Sequence, residues 1–196
     1  NISIVSRGKG KSAVAAAAYR SGEKLTNEWD GMTHDYTRKG GVVHTEIMLP
    51  PHAPEIYLDR ATLWNAVENC EKHPKAQLAY SFDIAMQNEL TLEENMELAR
   101  KFVQEQFVTK GMIADLAFHS PEKEDGGIPN PHFHVMTTMR PLNPDGTWGQ
   151  KQRREYLLDE DGNRIRDKNG DYMFNAVHTT DWHEPETLEH WREQWA

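Results

Sequence analysis

Two strand-like segments that follow each other with no helix between them constrain the fold more than any other feature. The first, "MIADLAFH" (112–119), is mainly apolar, and the second lies within "IPNPHFHVMTTMR" (128–140), which reads as a β-strand. Consecutive strands joined by a short loop pair antiparallel. We therefore expect the Gly/Pro/Glu-rich loop between them to reverse the chain, so that His119 lies near His132 and His134.

Strand and helix patterns alternate in the residues before this hairpin. Thr91 and Glu94 have the spacing of a capping box, and Ser12 can cap the alanine-rich segment that follows it. The predicted order is β-α-β-α-β-α-β-β. Besides the two segments above, strands are predicted over "ISIV", 41–49 and 76–86, and helices over 12–25, 59–73 and 91–111.

The length of 196 residues suffices for one sizeable α/β or α+β core, or at most two small ones. No apolar run reaches membrane-spanning length, and the single cysteine, Cys70, excludes an internal disulfide and fits a reducing compartment. We expect one domain over 1–196. We also expect it to be truncated at both ends, because "ISIV" starts abruptly and "LEHWREQWA" stops inside a helix.

Residues 143–177 differ from the rest of the chain. The sequences "NPDGTW", "DEDGNR" and "DKNGDY" predict a turn-rich excursion, either an extra β-ribbon or a mobile segment. They do not form an EF-hand, because the twelve-residue ligand pattern with its final Glu is absent. A C-terminal helix is expected over 180–196, with Pro185 near its first turn.

His132 and His134 project from one face of their strand, and Phe133 projects from the other. Together with His119 they offer three imidazoles, which would leave coordination positions open for a substrate. Imidazole suits Zn, Fe, Ni and Mn-like ions better than Ca. The alternative is that these are ordinary, partly exposed strand residues.

The net charge of −9 argues at first against a nucleic-acid partner, but the charge is unevenly distributed. Residues 1–40 hold seven basic and four acidic side chains, a difference of +3, and "KQRR" (151–154) forms a second basic cluster. "GKGKS" (8–12) fails the Walker pattern because Val5 occupies the place of its first glycine. A basic loop that touches phosphate is one interpretation, and ordinary solvated surface is the other.

Tyr19, near the end of the alanine-rich helix, is a candidate nucleophile. The adjacent Arg20 could favour the phenolate and bind a phosphate. Tyr36 is the second candidate, because Arg38 and Lys39 are close to it in sequence. The alternative for either residue is a packed tyrosine with a free hydroxyl.

These elements, taken in order, resemble one family. The segments "SRGKGKSAVAAAAYRSGEKL", "HDYTRKGGVVHTEIMLP", "LWNAVENCEKHPKAQLAYSFDIAM", "GMIADLAFH" and "NPHFHVMTTMRPL" are similar to plasmid mobilisation relaxases of the MobA/MobL (MobQ) group, within the HUH endonuclease class. The resemblance covers most of the chain. It implies an α+β fold, with a central antiparallel sheet of about five strands and helices packed on it.

The resemblance also implies a chemistry. His119, His132 and His134 would hold a divalent metal, with Mn or Mg expected and Zn, Ni or Co as alternatives. Tyr19 would cut one DNA strand at an origin of transfer and stay joined to its 5′ end through phosphotyrosine, and the reverse step would rejoin the strand. In relatives the strand matching "AYSFDIAMQ" often carries two acids, whereas here only Asp83 remains, and Ser81 holds the other position.

Asp83 is accordingly expected either to help deprotonate the tyrosine or to support a metal-bound histidine, and both Ser81 and Asp83 should face the same side. The partners implied are single-stranded or hairpin DNA at the origin of transfer, accessory relaxosome proteins and a type IV secretion coupling protein, in the bacterial cytoplasm. Trp148 could stack on bases. The expected DNA contacts are Arg7, Lys9, Lys11, Arg20, Arg38, Lys39, Lys151, Arg153 and Arg154.

Two other functions stay open from the sequence. A rolling-circle replication initiator shares the metal and tyrosine chemistry, although its tyrosine usually follows the His-x-His strand. A non-enzymatic metal- or nucleic-acid-binding module would use the histidines structurally, and Tyr19 would only pack.

Overall fold

The computed structural model describes residues 1–121 and 130–196, so most of the loop predicted between the last two sheet strands lies outside the described residues. Contacts divide the chain into two compact units, Asn1–Thr147 and Trp148–Ala196, whereas a single domain over 1–196 is expected from the sequence. Tyr19, Asp83 and the three histidines of the predicted metal site all belong to the first unit.

The first unit contains every predicted helix and strand of this region, together with a short hairpin that the sequence patterns did not indicate. The third helix ends five residues earlier than predicted, and a 3₁₀ turn over Val108–Lys110 follows it. The elements are β1 Ile2–Ser6, α1 Ala13–Ser21, β2 Lys24–Thr26, β3 Thr33–Asp35, β4 Val42–Met48, α2 Arg60–Cys70, β5 Gln77–Ala85, α3 Leu92–Gln106, β6 Ala114–His119 and β7 His132–Thr138.

Helix α1 is also shorter than predicted. Ser12 caps its first turn by accepting a hydrogen bond from the Ala15 N–H at 3.2 Å, as expected. At the other end Gly22 has a φ of 71°, and a Cβ there would lie 3.4 Å from the side chain of Val42. This left-handed conformation favours glycine, so the helix stops, and Lys24–Thr26 form β2 instead of a last helical turn.

The main sheet has five antiparallel strands in the order β1-β5-β7-β6-β4. This confirms the predicted α+β fold. Strands β6 and β7 form the predicted antiparallel hairpin, with His119 paired opposite His132 and Ala117 opposite His134. On its other side β7 pairs with β5, where Asp83 lies opposite His134.

One face of this sheet is apolar. Rows of large side chains cross β5, β7 and β6 in register, namely Phe82–Val135–Leu116 and Ile84–Phe133–Phe118. The end of α3 packs here, with the rings of Phe82 and Phe107 4.7 Å apart. Burial of this face against α3 gives the unit its core and, because strand side chains alternate, directs the neighbouring residues to the opposite face.

The opposite face is polar at its centre and is covered by α1 and α2. Trp64 of α2 donates its indole N–H to Asp115 at 2.8 Å, and Arg20 of α1 donates to Ser81 at 2.6 Å. Polar residues at the centre of this face include Ser81, Asp83, Asp115, His119, His132 and His134. All three predicted metal ligands therefore share a face with Ser81 and Asp83, as expected.

The second unit consists of a β-ribbon and a helix. Strands β8 Gln152–Tyr156 and β9 Phe174–His178 pair antiparallel, so of the two alternatives for the turn-rich excursion the ribbon is the one observed. Helix α4, Pro185–Trp195, starts at the predicted proline. Among the residues that the structure describes, no helix combines the length and the apolar character needed to cross a membrane.

Candidate active site

Three imidazoles converge at one end of the β6–β7 hairpin. The ring centroids are 5.3 Å apart for His119 and His132, 4.6 Å for His119 and His134, and 5.0 Å for His132 and His134. One ligand nitrogen from each ring lies within 4.8 Å of the others. The register of the two strands places the rings at this spacing, which a single cation between them can bridge.

In each imidazole, one ring nitrogen faces an oxygen atom that accepts a hydrogen bond. His119 Nε2 lies 2.7 Å from the carbonyl oxygen of Arg20, and His132 Nδ1 lies 2.9 Å from that of Asn130. Because a carbonyl only accepts, the ring nitrogen facing it carries the hydrogen. When such a ring is neutral, its other nitrogen has a free lone pair, which is the state that a metal ligand requires.

The third imidazole is oriented by a carboxylate. His134 Nδ1 lies 2.6 Å from Asp83 Oδ1, and this hydrogen bond is the main reason that the pKa of Asp83 is lowered to about 2. Burial lowers the pKa of His119 to about 4. At neutral pH the site therefore holds an ionised Asp83 and an uncharged His119, so its residues fit a divalent cation.

Tyr19 reaches this site through its helix. His119 bonds directly to the backbone carbonyl of Arg20, so the residue next to Tyr19 contacts the histidine cluster. Tyr19 is 50% exposed, so a large substrate can approach this residue. Lys39 and Tyr36 contact the Tyr19 ring, the ammonium at 3.7 Å from the ring centroid and the Tyr36 ring at 5.2 Å.

Ion pairs fix helix α1 at both ends, and in each pair one of the two side chains is buried. At its start, Glu68 is 1% exposed, accepts the backbone N–H of Ala13 at 2.7 Å and pairs with Arg7 at 2.7 Å. At its end, Glu23 pairs with Arg60 at 2.8 Å, and Arg60 in turn forms paired hydrogen bonds with the buried carboxylate of Asp115. These contacts set the position of the tyrosine-bearing helix on the sheet.

The Arg20 guanidinium is held inside the site. It donates to Ser81 Oγ at 2.6 Å and to the carbonyl oxygen of Ala16 at 3.2 Å. Burial lowers the pKa of Arg20, although the nearby Asp83 and Asp115 carboxylates oppose this effect. Ser81, which stands where the resemblance expects an acid, thus serves as the acceptor for Arg20.

The predicted DNA contacts divide into groups. Lys9, Lys11 and Arg38 are exposed in the first unit, and Lys39 is partly enclosed. In the second unit, Arg153 pairs with Glu155 at 2.8 Å, Arg154 lies over the Phe174 ring at 4.5 Å, and Lys151 is half-buried in the same ribbon.

Arg7 requires a correction. Its side chain is 12% exposed, and its guanidinium is occupied by Glu68 and by the backbone carbonyls of Glu68, Glu71 and His73. The indole of Trp29 covers it at 3.7 Å. This arginine therefore supports the loop before α1, and we remove it from the DNA contacts expected from the sequence.

Sequence reasoning missed the contacts around Tyr19. The Lys39 ammonium lies on the tyrosine ring, and the Glu68 and Arg60 ion pairs hold the helix. None of these side chains stands within one helical turn of its partner, so no local pattern indicates the pairing. The only signal was that Arg38 and Lys39 are close to Tyr36 in sequence, and it suggested Tyr36 as a second candidate nucleophile.

A protein-family model matches the part of the chain that contains this site. The MobA/MobL family model matches residues 11–196. The chain belongs to the MobA/MobL family. That span contains the whole of the candidate site, from the tyrosine-bearing helix to the histidine strand.

Several MobA/MobL relatives carry names from DNA transfer. Two conjugal transfer proteins TraA, from Rhizobium radiobacter and Agrobacterium fabrum, are each 42% identical over 182 residues, or 88% of this chain and 16% of each relative. The mobilization protein MobL of Acidithiobacillus ferridurans is 36% identical over 75% of this chain and 43% of its own length. The chain thus spans less than half of the length of each of these relatives.

A solved structure has the same fold. It is described as "Molecular Basis of Vancomycin Resistance Transfer in Staphylococcus aureus", and it superposes with a TM-score of 0.76 at 30% identity. The match covers 100% of this chain and 86% of that one.

Proposed function

We propose that this chain is a relaxase domain, which nicks one DNA strand at an origin of transfer and later rejoins it during mobilisation of a plasmid or integrative element. The observation that carries the proposal is the direct hydrogen bond from His119 to the Arg20 carbonyl, which couples the helix of an exposed tyrosine to a cluster of three histidines. Membership of the MobA/MobL family and relatives named for conjugal transfer and mobilization support it.

In this proposal Tyr19 is the nucleophile. Its Oη attacks the scissile phosphorus, the bond from phosphorus to the 3′ oxygen breaks, and the proton lost by the phenol is balanced by the one gained by the new 3′-hydroxyl. The 5′ phosphate remains on Tyr19 as a phosphodiester. Attack by a 3′-hydroxyl on this linkage reverses the step, so the energy of the phosphodiester is conserved and no ATP is consumed.

His119, His132 and His134 would hold the divalent ion through their free nitrogens. When bound, such an ion supplies positive charge beside the phosphate oxygens that become more negative during the reaction. Arg20 is placed to add to that charge, because its guanidinium lies on the same face of the sheet. The identity of the ion is part of the proposal, and Mn²⁺ or Mg²⁺ is the choice to test first.

Asp83 is proposed to support the metal site. One of its oxygens accepts from His134, and the other lies 3.4 Å from the Asn1 side-chain amide. Of the two roles expected from the sequence, this geometry favours orientation of His134 over deprotonation of the tyrosine.

The DNA would be bound through phosphate contacts by basic residues of both units, which position a strand without reading its sequence. In the first unit the proposed contacts are Lys9, Lys11, Arg20, Arg38 and Lys39. The ribbon would contribute Lys151, Arg153 and Arg154. Accessory relaxosome proteins, a secretion coupling protein and a bacterial cytoplasmic location complete the proposal.

A covalent-adduct assay tests the proposed function. The protein is incubated with single-stranded oligonucleotides tiled across the intergenic DNA beside its own gene, with Mn²⁺ or with EDTA, and run on a denaturing gel. We expect a metal-dependent adduct that Tyr19→Phe abolishes, because phenylalanine keeps the ring but lacks the attacking oxygen. Tyr36→Phe is the matched variant.

Other results of the assay would identify a different nucleophile or a different function. An adduct that survives Tyr19→Phe but not Tyr36→Phe would move the nucleophile to Tyr36. DNA that binds tightly yet forms no adduct with the unaltered protein would favour the non-enzymatic binding module. Multiple rounds of cleavage and joining on a replication origin, with none on the transfer origin, would favour the rolling-circle initiator.

A further inference from the structure

The ring of Tyr19 is held on two sides, although half of the side chain is open to solvent. The Lys39 ammonium lies 3.7 Å from the ring centroid, over its face. The Tyr36 ring meets it at 5.2 Å with an interplanar angle of 87°, an edge-to-face arrangement. Both geometries are attractive, because the face of an aromatic ring is negative and its edge is positive.

Lys39 also contacts the backbone of the same residue. Its Nζ donates a hydrogen bond to the Tyr19 carbonyl oxygen at 2.8 Å, so one ammonium binds both the ring and the peptide that carries it. Tyr19 lies in the last turn of α1, where carbonyls lack partners within the helix and a positive charge is favoured. This double contact distinguishes Lys39 from a lysine that is simply solvated.

The two contact residues come from one short turn. After β3 the chain forms a turn in which the Lys39 N–H bonds to the Tyr36 carbonyl at 2.9 Å. The Tyr36 N–H bonds to the carbonyl of Glu23 at 3.1 Å, just beyond the end of α1. The turn is therefore fastened to the helix that carries Tyr19, and both side chains follow that helix.

Lys39 is partly enclosed in this arrangement. Burial, with a smaller contribution from the positive charge of Arg20, lowers the pKa of Lys39. Placing a lysine beside an arginine is unfavourable unless other contacts offset the repulsion. The hydrogen bond and the ring contact to Tyr19 are the two contacts that do so here.

We propose that Lys39 and Tyr36 are positioning residues that clamp the ring of the nucleophile Tyr19 in the orientation for attack. This inference rests on the proposed function. In it, the turn that follows the β2–β3 hairpin positions Lys39 and Tyr36 against the tyrosine ring. Exposed side chains otherwise exchange rotamers in picoseconds to nanoseconds. A nucleophile that waits for a large DNA substrate gains from a ring that is already oriented.

A kinetic experiment separates this role from DNA binding. Lys39→Met keeps most of the aliphatic stem but removes the ammonium. We expect the single-turnover rate of adduct formation at saturating DNA to fall about ten- to hundredfold, as for small displacements of a reacting group. The Kd for DNA should change by less than about threefold, because one phosphate contact at most is lost.

Conservative variants test the mechanism of the clamp. Lys39→Arg keeps a cation that can cover a ring and donate to a carbonyl, so it should retain most of the rate of adduct formation. Tyr36→Leu should slow the reaction, whereas Tyr36→Phe, which keeps the ring edge, should retain the rate within about twofold. The matched control is Lys24→Met on the same hairpin, whose ammonium lies 3.8 Å from the Asp35 carboxylate.

A rate that is unchanged in Lys39→Met would overturn the proposal. So would a loss confined to Kd, together with a reduced salt dependence of binding, because Lys39 would then be a phosphate contact only. Failure of the unaltered protein to form any adduct would reject the proposed function instead, and the clamp must then be judged without activity.

A spectroscopic readout supplies that judgement. In protein labelled with 3-fluorotyrosine, the ¹⁹F signal of Tyr19 is identified by its absence in Tyr19→Phe. We expect Lys39→Met to move and narrow this signal, because the ring loses a cation on its face and becomes more mobile. An identical signal in Lys39→Met and Lys24→Met would show that Lys39 does not hold the ring.

Discussion

The candidate site and the β-ribbon of the second unit are built from the same kinds of contact, but over different distances along the chain. In the site, His119 bonds to a residue 99 positions away, and His134 to one 51 positions away. In the ribbon, the Arg164 guanidinium lies 3.8 Å from the centroid of the Tyr156 ring, and these two residues are only eight positions apart in the sequence. The site therefore exists only when the whole sheet has formed, whereas the ribbon depends mainly on its own turns.

Their ion pairs differ in the same way. Arg7 and Glu68 are 12% and 1% exposed, and the carboxylate also accepts the N–H that starts α1. Arg153 and Glu155 in the ribbon are 67% and 55% exposed. Water solvates the charges of the second pair in the folded and the unfolded protein alike, so only the first pair can determine whether its unit folds.

The largest effect is expected at the buried pair. Arg7→Met leaves the Glu68 carboxylate buried without its cation, and this should lower the free energy of unfolding by about 3–5 kcal/mol. The equivalent change in the ribbon, Arg153→Met, should cost at most about 1 kcal/mol. Urea unfolding followed by circular dichroism measures both. Equal losses in the two variants would mean that burial of the first pair does not matter.

The contrast also explains what could be predicted from the sequence. Local signals were sufficient for the helices, for the capping box of Thr91 and Glu94, and for the β6–β7 hairpin. Because a hairpin fixes the register of its two strands, His119, His132 and His134 could be brought together by pattern alone. The side of the strand that carries Asp83 followed from the same alternation.

What could not be predicted depends on packing between distant segments. Nothing near Arg7 in the sequence indicates that Glu68 is its partner, so a basic loop was interpreted as a DNA contact. The hairpin β2–β3 has strands of three residues, too short for a recognisable alternation. Lys39 comes soon after that hairpin, so its position on the Tyr19 ring could not be predicted either.

The next effect concerns the carboxylate that orients His134. Asp83→Asn keeps the shape of the side chain but removes its charge, and we expect Mn²⁺ affinity to fall about 10- to 100-fold, as is usual when a partner of a metal-bound histidine is changed. Isothermal titration calorimetry on the two proteins measures this. In the ribbon, Asp161→Asn is the control, since Asp161 is exposed and remote from the histidines in sequence. Unaltered Mn²⁺ binding by Asp83→Asn would remove Asp83 from the site.

The last prediction is a pH dependence that separates the buried His119 from an exposed histidine of the ribbon. In metal-free protein the pKa of His119 is lowered by burial to about 4, from an ordinary value of 6.5. Between these values the unfolded chain binds a proton at this residue and the native protein does not, so stability should fall as the pH is lowered from 6.5 to 4.

His119→Gln should flatten that slope, because the Gln amide can still donate to the Arg20 carbonyl but does not titrate. His178→Gln, at an exposed position of the ribbon, should leave the slope as it is. Urea titrations in EDTA at intervals across this pH range measure the slopes. If both variants flatten the curve equally, then burial in the sheet does not set the protonation of the site, and the long-range contacts that distinguish it from the ribbon have no electrostatic consequence there.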